Sequence, residues 1–350
     1  MNLSPEPWSG GGVEVGGVAS WTELKERGRL PLSDTSAPGY RRRSRLSPEA
    51  SADSDLRRTC GQQTDTHQGE AVLGEAVSAY RAALGSRLIA GYALGSLAHG
   101  GFSPLVSDVD LGLILQDPLR AKDRMTIYQV ARSVRAGGSG LHERLSVFWG
   151  TPSTLRGQGR GGRFPPLDRL DLLDYGRLLT GRDARSSVAR PEQAELLVAG
   201  AEFALGYLGG ARKLPYRLRD WARLGPRNGN VLNEIRTPSR LVSRGPRRLT
   251  KIVLFPVRFL FTAETGQVGT NTLAAGHHLA SAHAPATALV TAALAWRLEP
   301  PAADEATALL GRELIPLYVH YIDDHITRLH AVDRHRLADS FHRWRTRLLA

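Results

Sequence analysis

The chain has 350 residues, 41% of them hydrophobic and 23% charged, which allows about two packed domains and excludes wholesale disorder. A single cysteine, Cys60, excludes an intrachain disulfide and a Cys-rich zinc site. The net charge of +12 is concentrated, because Arg212 to Lys251 carries twelve basic side chains against two acids, Asp220 and Glu234.

Residues 1–68 mix Gly, Pro, Ser and Arg, as in Gly10-Gly11-Gly12 and Arg41-Arg42-Arg43-Ser44-Arg45, and sustain no period. A disordered tail is expected there. No apolar run follows the start, and the stretches Ile252–Phe261 and Ala284–Trp296 are too short to span a bilayer. The expectation is a soluble cytoplasmic protein with no membrane role. Val72, Ala76, Tyr80 and Leu84 recur at helical spacing and predict a helix over Gly69–Leu84. Leu88–Leu94 reads as a short buried strand broken at Gly95-Ser96, and a loop, His99–Ser107, leads to a second strand, Asp108–Leu115. A helix over Pro118–Arg135 and a Gly/Ser turn come next. A third strand, Glu143–Trp149, has Leu145 and Val147 alternating with Arg144 and Ser146. Pro166–Leu179 predicts another helix, closed by Gly181.

Beyond about residue 185 every periodic stretch is helical: Pro191–Gly206, Leu249–Thr265, Asn271–His283, Pro285–Trp296, Ala303–Leu314 and Tyr318–Leu348. Between them, Leu214–Arg248 reads as a basic loop punctuated by prolines. The organisation expected is a tail (1–68), an α+β domain with a mixed sheet (69–184) and an all-α domain (185–350) bearing the basic loop 212–251. That loop suits a polyanion such as nucleotide phosphate, RNA or an acidic partner. A solvated basic face accounts for it equally well.

The chemistry is concentrated in two short pieces. In Tyr92-Ala93-Leu94-Gly95-Ser96 a strand ends at a residue whose backbone can approach phosphate oxygens and a hydroxyl that can donate to them. In Ser107-Asp108-Val109-Asp110-Leu111 two carboxylates stand at i and i+2. Period-2 geometry sends both to one face, about 7 Å apart. Like charges so placed call for a cation, and Mg²⁺ suits all-oxygen ligands. Two such ions about 4 Å apart can clamp a triphosphate while polarising an attacking hydroxyl.

Taken together, Gly95-Ser96-Leu97-Ala98-His99-Gly100-Gly101-Phe102-Ser103-Pro104-Leu105-Val106-Ser107-Asp108-Val109-Asp110-Leu111 resembles the nucleotidyltransferase superfamily of DNA polymerase beta. The likeness is closer to bacterial aminoglycoside adenylyltransferases of the streptomycin/spectinomycin type. The resemblance implies a polymerase-beta-like catalytic domain of α+β class followed by helices, moving AMP from ATP to a hydroxyl of a small-molecule acceptor with two Mg²⁺. It implies Asp108 and Asp110 as metal ligands, and Glu143, in Leu141-His142-Glu143-Arg144-Leu145, as general base. Gly95, Ser96 and Ser107 would bind the nucleotide. Val257-Arg258-Phe259-Leu260-Phe261-Thr262 is similar to a helix of those relatives whose Arg meets the ATP phosphates, which assigns Arg258 and, more weakly, Thr262. Departures accompany the matches. Asn271 stands near the relatives' phosphate-binding Lys, and Arg247, Arg248 and Lys251 occupy the region where they carry acids that hold a cationic drug.

Other features read as structure. The late histidines, including the one in Asp323-Asp324-His325, lack the spacing of a hydrolytic zinc helix, and Trp149 suits core packing better than stacking on a base. Two function classes compete: a nucleotidyltransferase, a template-independent RNA-tailing enzyme being a further option within that class, and a non-catalytic or antitoxin-like nucleotide-binding module acting on a protein or RNA partner.

Overall fold

The computed structural model describes residues 49–158, 161–209 and 231–350, with side chains from residue 66 onward. The expectation for residues 1–48 and that for residues 212–230 of the basic stretch therefore lie outside the described residues. Helix α1 runs over Glu49–Leu84, starting well before Gly69. Its last turns bury Val72, Leu73, Ala76, Val77, Tyr80 and Leu84, the stripe the helical spacing requires.

Four strands form one mixed sheet: β1 (Leu88–Leu94), β2 (Val109–Leu115), β3 (Leu145–Gly150) and β4 (Arg177–Gly181), in the order β3-β2-β1-β4. β1 is antiparallel to both β2 and β4, while β2 and β3 run parallel. A parallel pair needs a crossover, and α2 (Ala121–Arg135) supplies it. Alternation along β2 divides the sheet's two faces. Val109, Leu111, Leu113 and Leu115 pack with α1, α2 and the β3 residues Leu145, Val147 and Trp149. Tyr80 closes this core by donating its hydroxyl to the Ile127 carbonyl at 3.0 Å. Trp149 lies edge-on to Tyr128 and is a core residue. The opposite face carries Asp110, Gly112 and Ile114, with Tyr92 and Leu94 of β1 and Phe148 of β3. It packs against Leu172 of α3 (Pro166–Tyr175).

Helix α3 ends earlier than predicted, because Gly176 breaks it and the chain turns into β4, a strand hidden inside the expected helix Pro166–Leu179. A Cβ at Gly176 would lie 2.4 Å from the Leu172 carbonyl oxygen, so only glycine admits the turn.

From residue 193 onward the described elements are helical: α4 (Gln193–Tyr207), short turns at Val231–Arg236 and Pro238–Val242, α5 (Pro246–Thr265), α6 (Asn271–Ala280), α7 (Thr287–Ala295), α8 (Ala303–Ala331) and α9 (His335–Leu349). Pro246 opens α5 at a position where its missing N–H costs nothing, and Gly266 closes it at φ 68°. Pro256 inside α5 cannot donate to the carbonyl of Ile252. That carbonyl instead accepts the Tyr318 hydroxyl of α8 at 2.8 Å and so is not left unpaired. The sequence expectation placed a break near Pro316. α8 runs through that proline and ends at Ala331, where Asp333 takes a φ of 57°. His325 is buried between Tyr321 and Phe341 as a core side chain.

The helical half has its own core, centred on α5, α8 and α9. A smaller cluster of Leu170, Leu196 and Val268 links α3 to α4 and the turn after α5. Asp53–Ala350 forms one compact unit. No helix among the described residues is long and apolar enough to cross a membrane.

Candidate functional site

Strand β1 ends at Gly95, which adopts φ 60° and ψ −147°, a conformation open to glycine and strained for any other residue. The chain turns there into a short helical turn, Ser96–His99, so Gly95 and Ser96 meet the start of β2. A Cβ on Gly95 would lie 2.4 Å from Asp110 Oδ2, so the glycine is what allows the carboxylate to approach the backbone. The Gly95 N–H donates to Asp171 Oδ2 of α3 at 2.6 Å.

Above this turn lies a cavity of about 130 Å³ whose walls include Gly95, Ser96, Ser107, Asp108, Asp110 and Arg258. Six of the seven residues expected at the site are thus brought together. The cationic wall comes from α5, where Lys251 and Arg258 line the cavity at i and i+7, with Arg247 one turn before Lys251 on the same face. A second cavity of about 120 Å³ adjoins it, sharing Gly95, His99, Asp110 and Arg258 and adding Asp168 and Asp171.

The seventh residue is elsewhere. Glu143 ends a helical turn, Gly140–Glu143, capped by Ser139; its side chain is exposed and borders neither cavity. The expected strand Glu143–Trp149 begins two residues later, at Leu145. Parity gives the reason. Asp110 pairs with Ser146, so side chains sharing its face come from even-numbered positions of β3. Leu145 and Val147 belong to the opposite core, and Glu143 has their parity. Arg144, immediately before β3, spans to the carbonyls of Pro104 and Ser107 and braces the loop that leads into Asp108.

The charges at the site are strongly coupled. Asp108 accepts from Arg247 at Oδ1 and from Lys251 at Oδ2, each at 2.5 Å. Burial would raise its pKa, but these two cations hold it below the usual carboxylate range. The Asp110 carboxylate has no hydrogen bond among the described residues. Burial, and then the charges of Asp108 and Asp168, push its carboxyl well above that range. Burial and the charge of Asp171 raise Asp168 to about 7. Asp171 is also raised by burial, which the Gly95 N–H opposes, and its Oδ1 is a buried acceptor without a partner. Arg258 stands amid all four acids and donates Nε to the Gly269 carbonyl. Its pKa is lowered by burial even against their pull. Thr262 accepts from the Gly269 N–H at 3.1 Å and so supports that turn.

Sequence reasoning missed Asp168, Asp171 and Arg297. The first two stand at i and i+3 on a helix taken as purely structural, and an acid pair at that spacing on an apolar helix was the available signal. Arg297 follows an apolar helix with no motif around it. The basic residues 244–251 do not form an open stripe: Arg244 and Arg248 pair with Glu234, while Arg247 and Lys251 pair with Asp108.

Among the described residues no group of three or more His, Cys, Asp or Glu side chains is placed to hold a metal. Asp108 and Asp110 remain a two-carboxylate, all-oxygen pair whose like charges a divalent cation would relieve. This fits Mg²⁺, which takes one or two carboxylates and completes its shell with phosphate oxygens and water.

The fold and this site together are a mixed sheet presenting a Gly-Ser turn and an Asp-x-Asp pair to a cationic helix. The structure is similar to the crystal structure of spectinomycin adenyltransferase AAD(9) from Enterococcus faecialis with ATP and spectinomycin. The identity is 13% and the TM-score 0.41, covering 70% of this chain and 98% of that one. No family model matches the chain, and no curated protein matches it.

Proposed function

We propose that the protein is a Mg²⁺-dependent nucleotidyltransferase that moves a nucleoside monophosphate, AMP from ATP, to a hydroxyl of a small acceptor. The observation that carries this is the convergence of Asp108 and Asp110 with Gly95-Ser96 and the cationic side chains Lys251 and Arg258 on one cavity. Such a wall complements a triphosphate and its metal in a single site. Asp108 and Asp110 would hold Mg²⁺, which neutralises phosphate charge and polarises the attacking oxygen when bound. Gly95 and Ser96 present backbone and hydroxyl donors to phosphate oxygens. Arg258 holds charge beside Asp110, where the reacting phosphate would lie. Lys251 is free to turn from Asp108 to the nucleotide once a metal competes for that carboxylate.

With Glu143 in solvent, the proton of the acceptor hydroxyl needs another base. Asp168 faces Asp110 across the second cavity, and a carboxyl poised near neutrality is suited to that task. Asp110→Asn should abolish transfer of label from α-labelled ATP while the circular dichroism spectrum stays native and melting is not lowered. Undiminished transfer would overturn the assignment.

A second reading is favoured by the side chains on the β3 side of the site. Arg144 and Ser146 stand where a third acid would share the face of Asp108 and Asp110. On that reading the chain binds a nucleotide without turning it over and acts on a protein or RNA partner. Nucleotide binding with no pyrophosphate release across a broad acceptor screen would support it.

A further inference from the structure

The charge arrangement of the cavity is not complete with the residues named so far. Arg297 lies just past α7, is 8% exposed, and lines the same cavity as Ser96, Lys251 and Arg258. One amino group, Nη2, donates to the Gly101 carbonyl at 2.5 Å, and no other guanidinium nitrogen has a hydrogen bond among the described residues. No carboxylate there pairs with it either. The charge it feels is that of Arg258, and burial followed by this like charge lowers its pKa. A buried guanidinium that faces a second one and lacks a counter-ion is costly, unless an anion enters between them.

Two contacts fix its position. Ser103 donates its hydroxyl to the Arg297 carbonyl at 2.5 Å, and Nη2 grips Gly101, so the loop between Ser96 and Asp108 is fastened to the end of α7. Gly100 and Gly101 have φ of 87° and 76° and leave open space where side chains would stand. The polarity of the cavity is also ordered. Arg258, Asp110, Asp168 and Asp171 line the adjoining cavity, whereas Arg297 borders the first cavity alone. Arg258 therefore marks the end where the carboxylates sit and Arg297 the end remote from them.

We propose that Arg297 anchors the terminal phosphates of a nucleoside triphosphate, at the end of the cavity away from Asp110. The assignment rests on the nucleotide reading above and deepens it: it makes the site selective for a polyphosphate chain over a monophosphate. A planar fork with free N–H groups, lining one cavity with a lysine and a serine hydroxyl, is the group best matched to phosphate oxygens.

The test is calorimetric titration of wild type, Arg297→Gln and Arg297→Lys with Mg·ATP, AMP and inorganic tripolyphosphate, with melting curves to show that each variant folds. Arg297→Gln should weaken ATP and tripolyphosphate by about tenfold or more while AMP changes by less than about twofold, and Arg297→Lys should fall between. Unchanged ATP affinity in Arg297→Gln overturns the proposal. So does an equal loss of ATP and AMP, the mark of a loop that has lost its fastening. Wild type that binds tripolyphosphate through Arg297 yet transfers no nucleotide refutes the transfer reading and leaves the anchor standing. Wild type that binds neither compound overturns both.

Discussion

Asp110 of β2 and Ser146 of β3 are partners in parallel register, so their side chains share one face of the sheet beside the Gly95 turn. That relationship identifies where another acid on β3 could join Asp108 and Asp110, and shows that the chain places a small hydroxyl there. Ser146→Asp should supply a third carboxylate. Mn²⁺ affinity, read by electron paramagnetic resonance of the free ion, should rise by about tenfold. Melting in EDTA should fall, because a further uncompensated charge joins an acidic face. A folded variant with wild-type Mn²⁺ binding would show that the strand pairing does not bring position 146 to the metal ligands.

Gly95→Ala tests the backbone approach itself. The substitution places a methyl group 2.4 Å from Asp110 Oδ2, in a conformation of φ 60° and ψ −147° that alanine adopts only under strain. A destabilisation of about 1–3 kcal/mol is expected, with loss of whatever transfer activity wild type shows. Chemical denaturation measures the first and α-label transfer the second. A neutral effect on both would mean that the turn and Asp110 move apart easily.

Much of this was legible in the sequence. β1, β2 and the turn between them were, because apolar runs bounded by Gly-Ser and Asp-x-Asp have a single consistent pleat. The helices of the second half were also legible, since long apolar periodicity needs no partner to be recognised. Glu143 was misplaced although the information was present: Leu145 and Val147 are the apolar members of the β3 alternation, and position 143 shares their parity. Strand β4 was lost because Arg177-Leu178-Leu179-Thr180 continues the composition of α3, and only packing against β1 makes it a strand. The acids of α3 were legible only as a pair at i and i+3, and the guanidinium of Arg297 was not legible. Their role comes from being brought within reach of Gly95 and Arg258 by folding across 76 residues, from Gly95 to Asp171, and by the loop–α7 fastening at Gly101 and Ser103.

Asp168→Asn separates chemistry from stability through pH. The folded carboxyl is raised from 3.8 to about 7, so in that interval the unfolded chain releases a proton that the folded one retains. Stability then falls as pH rises from about 4 to about 7, and the penalty is complete above the folded value. Asparagine removes it. The variant should match wild type in melting near pH 4 and exceed it by up to a few kcal/mol at pH 8. If Asp168 accepts the acceptor proton, kcat should drop by about 10²–10⁴ with KM little changed, and the acidic limb of the pH–rate profile near 7 should disappear. A variant with that limb intact would transfer the role of base to another group.

Lys251 and Arg247 compete with a metal for the oxygens of Asp108, since each carboxylate oxygen is held at 2.5 Å by one of them. Lys251→Met frees Oδ2 and removes one positive charge from the metal's surroundings. Without nucleotide, Mn²⁺ should bind several-fold more tightly to this variant, because a cation at hydrogen-bond distance opposes the incoming ion. With nucleotide present the sign should reverse: Lys251 lines the cavity, and its ammonium, displaced from Asp108, is then available to phosphate oxygens. The variant should therefore show tighter metal binding alone and weaker Mg·ATP binding, measured by the same calorimetry. Removing the Lys251 ammonium also withdraws a positive charge that keeps the Asp108 carboxylate ionised, so the variant's stability should decline at a higher pH on acidification than that of wild type. Equal metal affinity in the two proteins would mean that the ion pair gives way without cost, and that Lys251 serves only to position α5 against the sheet.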